Sequence, residues 1–188
     1  MNDLLAIATA VRERYLEALL ESLAAFADEY DPSAPEVMFE LQRDDALPYR
    51  LYRADMAANN VGSPVVRDVN PSSYLSFEPF GIEFEEGSSA AVRPFVWYDV
   101  CLQFNTTMPV EPIEDWSMRW LDMGDHSPKD EHGLQGVIHS IVREDAAGGS
   151  TLLVIDFGSA PVEALRELIE LAFASGASHV SLYSQTLQ

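Results

Sequence analysis

The sequence predicts an α+β fold: a mixed, mainly antiparallel sheet with a long N-terminal helix and a C-terminal βαβ unit. Residues 3–30 have the apolar spacing of one helix, and residues 36–104 hold short segments in which apolar and polar side chains alternate. Residues 151–183 have the pattern of a strand, a helix and a strand. Because the composition does not shift along the chain, residues 1–188 are predicted to form a single domain.

The N-terminal helix is predicted from apolar side chains three or four positions apart, among them Leu4, Val11, Tyr15 and Phe26. Each large side chain of such a stripe contributes roughly 1.5–3 kcal/mol when it is buried, so the stripe must be covered. It either packs on the sheet of the same chain or pairs with a second copy. Two prolines in residues 31–35 end the helix, because proline cannot continue it.

The middle of the chain predicts short strands separated by turns. Alternating side chains mark strands at residues 36–42, 49–54, 74–78 and 81–85. A long loop is predicted over residues 56–73, which contain Asn, Gly, Pro and Ser. Residues 94–104 carry apolar side chains on both faces and are therefore predicted to form a central strand. A short helix over residues 111–121 and a strand over residues 134–143 follow.

The C-terminal part of the chain predicts the βαβ unit. Residues 151–157 form an apolar run that is typical of a buried strand. A helix is predicted over residues 160–175, with Ser159 as its N-cap and Gly176 at its end. Residues 179–183 form the last predicted strand. The two strands are expected to run parallel with a right-handed crossover.

The chain is strongly acidic along its whole length. It has 31 acidic and 11 basic residues, for a formal net charge of −20. Residues 1–94 carry 17 of the acids and residues 95–188 carry 14, which argues against an acidic tail and for a folded domain with a negative surface. Such a surface repels phosphate groups, so we predict no binding to nucleic acid or membranes and favour a basic protein partner. A charge that only keeps the protein soluble is the alternative.

The cellular compartment is predicted from what the sequence lacks. Cys101 is the only cysteine, the N-terminus has no secretion pattern, and no segment approaches the length that spans a bilayer. We therefore expect a cytoplasmic protein. Glycine-rich phosphate loops, serine elbows, paired cysteines and zinc motifs are also absent from the sequence, so no cofactor is predicted.

Asp156 is the strongest candidate for chemistry. It lies near the carboxyl end of a predicted buried strand and just before a helix, where open α/β sheets place ligands. The backbone amides after Gly158 and Ser159 could hold a small anion at the helix N-terminus. In the structural alternative, Asp156 accepts hydrogen bonds from loop amides and fixes the turn.

Two further residues could act with Asp156 in catalysis. Asp99 lies on the predicted central strand, where a carboxylate is costly to bury alone, so it either pairs with an arginine or has a raised pKa as a general acid. His139 shares a strand face with Val137 and Ile141 and is either a hydrogen-bonded core histidine or a catalyst. Asp99, His139 and Asp156 together form the hypothetical active site.

The polar loop at residues 122–133 is a candidate metal site. It contains carboxylates and imidazoles, the side chains of Asp125, His126, Asp130 and His132, which are common metal ligands. The loop lacks the fixed spacing of known metal motifs, and a solvated surface loop is the alternative.

These observations favour a non-catalytic acidic binding module that engages a basic protein, in the manner of an inhibitor, an immunity protein or an adaptor. One alternative is a small hydrolase-type enzyme that uses Asp156 and Asp99 with His139. The other is a protein that binds divalent cations through the 122–133 loop. A homodimer formed through the N-terminal helix or a sheet edge is a further hypothesis.

Overall fold

The computed structural model describes residues 1–60, 62–71, 73–84 and 87–187. These residues contain three α-helices and nine strands. Positions 61, 72 and 85, which the predicted loop and strands also cover, lie outside the described residues. The helices and strands are α1 (Asn2–Glu29), β1 (Ser33–Glu40), β2 (Leu51–Asn60), β3 (Ser63–Arg67), β4 (Phe80–Glu83), β5 (Ser89–Val92), β6 (Val100–Phe104), α2 (Val110–Leu121), β7 (Ser140–Ala146), β8 (Ser150–Asp156), α3 (Val162–Ala174) and β9 (His179–Tyr183).

The strands form two sheets, and the predicted α+β class is confirmed. β1, β2 and β3 make an antiparallel three-stranded sheet with β2 in the centre. The other six strands lie in the order β4-β5-β9-β6-β8-β7, in which the pair β5 and β9 is parallel and the remaining pairs are antiparallel. β6 is central, as its apolar faces predict.

The C-terminal βαβ unit is split by another strand. β6 lies between β8 and β9 and pairs antiparallel with both, so β8 and β9 run parallel without touching. α3 connects them. Gly176 follows α3 with a φ of +95°, in the left-handed region that glycine adopts most easily, and confirms the predicted helix end.

The helices pack on one face of the six-stranded sheet. Leu102, Ile155 and Leu182 of the sheet share a core with Leu19 of α1 and Leu168 of α3. Side chains alternate between the two faces of a strand, so the neighbouring positions point to the opposite face. We call this opposite face the open face; its half-buried or exposed side chains include Gln103, Val142, Glu144, Leu152, Val154, Ser181 and Tyr183.

The loop predicted over residues 56–73 is wrong in part, because residues up to Arg67 form a hairpin and only the described residues after it are irregular. β2 continues to Asn60, and β3 pairs with it from Ser63 to Arg67. Gly62 lies in the turn with a φ of +83°, and its N–H donates to the side-chain oxygen of Asn59 at 3.0 Å. β2 is buried on both faces from Arg53 to Ala58, so it lacks the alternation by which the other strands are recognised.

Three predicted strands differ from the observed ones. β6 begins at Val100 rather than residue 94, because the N–H of Val96 bonds to Ser184 and a turn follows. β7 begins at Ser140 rather than residue 134, since the N–H of Ile138 bonds to the carbonyl of Trp120. Residues 74–78 form no strand. In the first two cases the side-chain pattern reflects burial, whereas the backbone forms its hydrogen bonds outside the sheet.

Ser159 is not the N-cap of α3, which contradicts the prediction. The helix begins after Pro161, and no side chain caps it. The proline ring fixes a φ that suits a helix start, so the helix begins beside it without the serine. The Ser159 hydroxyl is used elsewhere.

Candidate functional site

A buried polar network around His139 lies where the two sheets meet. His139 precedes β7, and its N–H donates to the carbonyl of Asp156 in β8 at 2.8 Å. Its own carbonyl accepts from the N–H of Arg53 in β2, also at 2.8 Å. The imidazole is fully buried, so its polar partners must come from the protein.

The imidazole of His139 lies between two carboxylates. Its Nε2 is 3.0 Å from Oε1 of Glu36, and its Nδ1 is 3.0 Å from Oδ1 of Asp55. The second contact lies off the direction of a ring hydrogen bond and acts mainly as an ion pair. Burial lowers the pKa of His139, but its contacts with Asp55 and Glu36 and the charge of Asp156 outweigh burial and raise the pKa to about 10. The ring is therefore an imidazolium at neutral pH.

Glu36 receives three donors from two separate segments, one before β7 and one after β8. Its carboxylate accepts from the N–H of Gln135 at 2.5 Å, from the hydroxyl of Ser159 and from the imidazole. Glu36 lies on β1 with a φ of 50°, a conformation that residues other than glycine rarely adopt. Only 1% of its surface is exposed, so these donors replace water.

Asp55 connects α1 to the same network. Its carboxylate accepts from the hydroxyl of Tyr15 on α1 and from the N–H of Val69, both at 2.5 Å. Burial, together with the charges of Asp156 and Asp55, raises the pKa of Tyr15 well above its ordinary value. The Tyr15 hydroxyl therefore keeps its proton and remains a donor.

Ser159 and Gly158, the predicted ligand-binding residues, serve the network. The Ser159 oxygen accepts from the N–H groups of Gly136 at 2.9 Å and Val137 at 3.2 Å, and its hydroxyl donates to Glu36. Gly158 has a φ of +47°, and a Cβ there would lie 2.2 Å from the His139 ring. The hydroxyl is thus fully occupied, and the glycine makes room for the imidazole.

Asp156 differs from the other carboxylates because it is only half-buried. Its Oδ1 accepts from the N–H of Gly158 at 2.9 Å, as the structural alternative expects. Burial raises the pKa of Asp156 to about 7, although the charge of His139 acts in the opposite direction. This carboxyl therefore titrates near neutral pH.

Arg53 is a second buried cation beside the network. Its guanidinium donates to the carbonyls of Leu121 at 3.0 Å and Asp122 at 2.8 Å, where α2 ends. It also donates to the carbonyl of Glu36 and the side chain of Gln135. The carbonyls at a helix C-terminus carry partial negative charge, which stabilises the buried cation.

Sequence reasoning missed Glu36, Arg53 and Asp55. Arg53 and Asp55 are two positions apart on β2, so they share a face of an otherwise apolar strand, and that pattern was the available signal. Glu36 follows a proline in an ordinary strand pattern and gives no comparable signal.

Asp99 and Cys101 lie outside this network. The Asp99 carboxylate accepts from the N–H and the hydroxyl of Thr186, each at 2.9 Å, and so holds the turn that follows β9. Burial raises the pKa of Cys101 to about 11, and the charge of Asp99 adds to this. The structure thus brings His139 and Asp156 together, whereas Asp99 shares no described hydrogen bond with either residue.

The carboxylates of the 122–133 loop bind groups of the loop and of the residues that follow it. Asp125 accepts from the Gln135 amide at 2.6 Å, and Asp130 accepts from the N–H groups of His132 and Leu134 at 2.8 and 2.9 Å. His126 donates its N–H to Asp122. Within the part of the chain that the structure describes, no three His, Cys, Asp or Glu side chains are placed to share a metal ion.

The arginines of the surface are already engaged within the chain. Of the ten arginines, all among the described residues, seven form ion pairs with carboxylates, one of them the buried Arg53, and the others contact Ser73, the carbonyls of residues 159 and 160, or the ring of Tyr183. Many exposed carboxylates have no ion pair with another described residue; they include Asp3, Glu13, Glu17, Glu21, Asp28, Asp31, Asp44, Glu78, Glu83, Glu111, Asp115, Asp130, Glu144 and Glu163. The surface is therefore negative with little internal compensation.

Comparison with models of protein families, with curated proteins and with solved structures finds no match to this chain. No helix among the described residues has the length and apolar character needed to cross a membrane.

Proposed function

We propose that this chain is a non-catalytic acidic binding module for a basic protein partner, comparable to an inhibitor, an immunity protein or an adaptor. The observation that carries the proposal is the uncompensated surface charge: the arginines have partners within the chain, and many exposed carboxylates form no ion pair with another described residue. Such a surface accelerates encounter with a cationic protein and selects against anionic ones.

The protonation and hydrogen bonding of the buried network support a non-catalytic role. A general base must accept a proton, but the pKa of His139 near 10 keeps its ring protonated at neutral pH. A nucleophilic serine needs a base that takes its proton, but Ser159 donates to Glu36, whose carboxylate already binds His139. These features favour a structural role for the network, in which it connects α1 to the two sheets.

The proposal predicts a complex that weakens with salt. The tagged full-length chain is used to capture proteins from its native cells, and the affinity of each captured protein is then measured by calorimetry. We expect a protein of high isoelectric point whose affinity falls at least about tenfold between roughly 0.05 and 0.5 M salt, because salt screens exposed charges. Affinity that is independent of salt, or capture of acidic proteins alone, would contradict the proposal.

A small hydrolase is the second candidate, and Asp156 is the observation that favours it. This half-buried carboxyl has a pKa near 7 and lies at the carboxyl end of β8 beside His139. The test compares the intact protein with Asp156→Asn on chromogenic ester and phosphate substrates. Turnover that disappears in the variant would establish the enzyme, whereas equal rates in both proteins would eliminate it.

We also place the protein in the cytoplasm. Cys101 is free and buried, and a lone thiol suits a reducing compartment. Fractionation of native cells with an antibody against the chain tests this location, and recovery from a secreted fraction would contradict it.

A further inference from the structure

The open face of the six-stranded sheet has a continuous apolar line across four strands. Val142 of β7 pairs with Val154 of β8, which pairs with Cys101 of β6, which pairs with Tyr183 of β9. Residues paired in this way point to the same side of a sheet. Leu152 lies two positions from Val154 and extends the line into a patch.

The patch is accessible from outside at its valine and leucine positions, whereas Cys101 within it is buried. Val142 is 36% exposed, and Leu152 and Val154 are half-buried. These two residues do not belong to the core that the helices share with the other face of the sheet. A sheet that is covered on one face usually presents polar side chains on the other, so an exposed valine beside a partly accessible valine and leucine marks a surface suited to a partner.

Two carboxylates, those of Glu144 and Asp99, lie near this patch. Glu144 lies beside Leu152 in the next strand and is exposed, and its charge and that of Asp99 both act on Tyr183. Arg93 is the nearby cation, and its guanidinium lies over the Tyr183 ring at 4.5 Å. An apolar centre with an acidic rim complements a surface in which Lys or Arg side chains flank apolar ones.

We propose that the open face is the docking surface for a basic protein whose contact region alternates apolar and cationic side chains. This inference rests on the proposed function and assigns the binding of the partner to one surface of the protein. The groove between α2 and α3 is less suitable, because Glu167 and Glu170 there already pair with Arg119 and Arg166.

A designed peptide of alternating Leu and Lys tests the surface directly. It is titrated into the full chain with isotope-labelled methyl groups, and a Ser and Lys peptide of equal charge is the matched probe. We expect shifts at the methyls of Val142, Leu152 and Val154, and an affinity for the Leu peptide at least about tenfold higher than for the Ser peptide. Shifts confined to other surfaces, equal affinities or no binding would each overturn the assignment.

Two lysine variants separate this surface from general charge effects. Val142→Lys places a cation on the open face, and Val66→Lys places the same cation on β3, where Val66 is 42% exposed. Binding of the Leu and Lys peptide should weaken at least about tenfold in the first variant and less than about twofold in the second. Equal weakening in both would contradict the assignment.

A captured basic protein that binds Val142→Lys normally would remove this surface but leave the proposed function intact, whereas failure to find any salt-sensitive basic partner would remove the function itself.

Discussion

At the scale of single residues, charge in the interior is stabilised by opposite charge and by donors from distant segments. His139 contacts Glu36 of β1 and Asp55 of β2, and Asp55 in turn binds Tyr15 of α1. Moving any of these ions from water costs several kcal/mol, and the cost is offset only while every partner is present. The loss of one residue should therefore affect the whole arrangement.

His139→Ala should lower the free energy of unfolding by about 3–5 kcal/mol, because two carboxylates would remain buried without their cation. Urea unfolding followed by circular dichroism measures the change. His132→Ala is the control, since His132 is exposed and should change stability by less than about 0.5 kcal/mol. Equal effects of the two substitutions would show that the buried contacts contribute little.

Stability should fall as pH rises from neutral, and His139 is the reason. The pKa of His139 is about 10 in the folded protein against an ordinary 6.5, so the folded state binds the proton more tightly. This contribution is complete below pH 6.5 and is lost as pH rises through about 10, with a slope of at most about 1.4 kcal/mol per pH unit. Asp156, whose pKa is raised from 3.8 to about 7, adds a loss of the same sign at lower pH.

Urea unfolding at a series of pH values measures this dependence. The slope between pH 6.5 and about 10 should flatten in His139→Gln, and the slope below pH 7 should flatten in Asp156→Asn. A rise in the stability of the unmodified protein over this range would contradict the assigned protonation states.

The sequence marks some of these residues but not their roles. His139, Asp156 and Ser159 stand out as polar residues in or beside apolar segments, and all three belong to the network or its border. Ser159 precedes a helix as an N-cap would, so its bond to Glu36 could not be foreseen. Glu36 and His139 are 103 positions apart, and only the sheet arrangement brings them together.

At the scale of helices and strands, prediction succeeds where a pattern and a backbone partner coincide. The strand over 179–183 and the helices α1 and α2 appear within one or two residues of their predicted bounds, since one periodic face packs on the core. β2 is predicted only in its first part, by the strand over 49–54, because burial on both faces removes the alternation of the rest. The separate three-stranded sheet depends on long-range pairing that local patterns do not contain.

The end of α2 should depend on Arg53 of β2. Arg53→Met keeps much of the side-chain volume but removes the donors to the carbonyls of Leu121, Asp122 and Glu36. We expect a loss of about 1–3 kcal/mol of stability, because buried carbonyls would be left without donors, with faster amide exchange in the last turn of α2 than in α3. Arg166→Met is the control, since its ion pair with Glu170 is at the surface and should contribute about 0.5 kcal/mol or less. Unchanged exchange at the end of α2 would contradict this role of Arg53.

At the scale of the whole molecule, the net charge of −20 opposes folding through repulsion among surface carboxylates. Glu13, Glu17 and Glu21 illustrate this, since they follow one another at four-residue intervals on α1 and repel along the helix. The proposed basic partner would relieve this repulsion if it bound at or near these glutamates.

Added salt should therefore stabilise the free protein while it weakens the proposed complex. Raising sodium chloride from about 0.02 to 0.5 M reduces the Debye length severalfold and screens the repulsion, so the melting temperature should rise by several degrees. Differential scanning calorimetry measures it. A variant with Glu13, Glu17 and Glu21 changed to Gln should show a smaller rise. A melting temperature that falls with salt would mean that attractive surface pairs dominate.

The position of β9 in the six-stranded sheet has a consequence for synthesis on the ribosome. β9 follows every other strand in the chain, yet it lies between β5 and β6 and is hydrogen-bonded to both. During translation, β4 and β5 therefore remain detached from β6, β7 and β8 until the last strand emerges. From the synthesis of β6 until that of β9, the nascent chain carries two strand edges that have yet to pair, so it must avoid aggregation before it can finish folding.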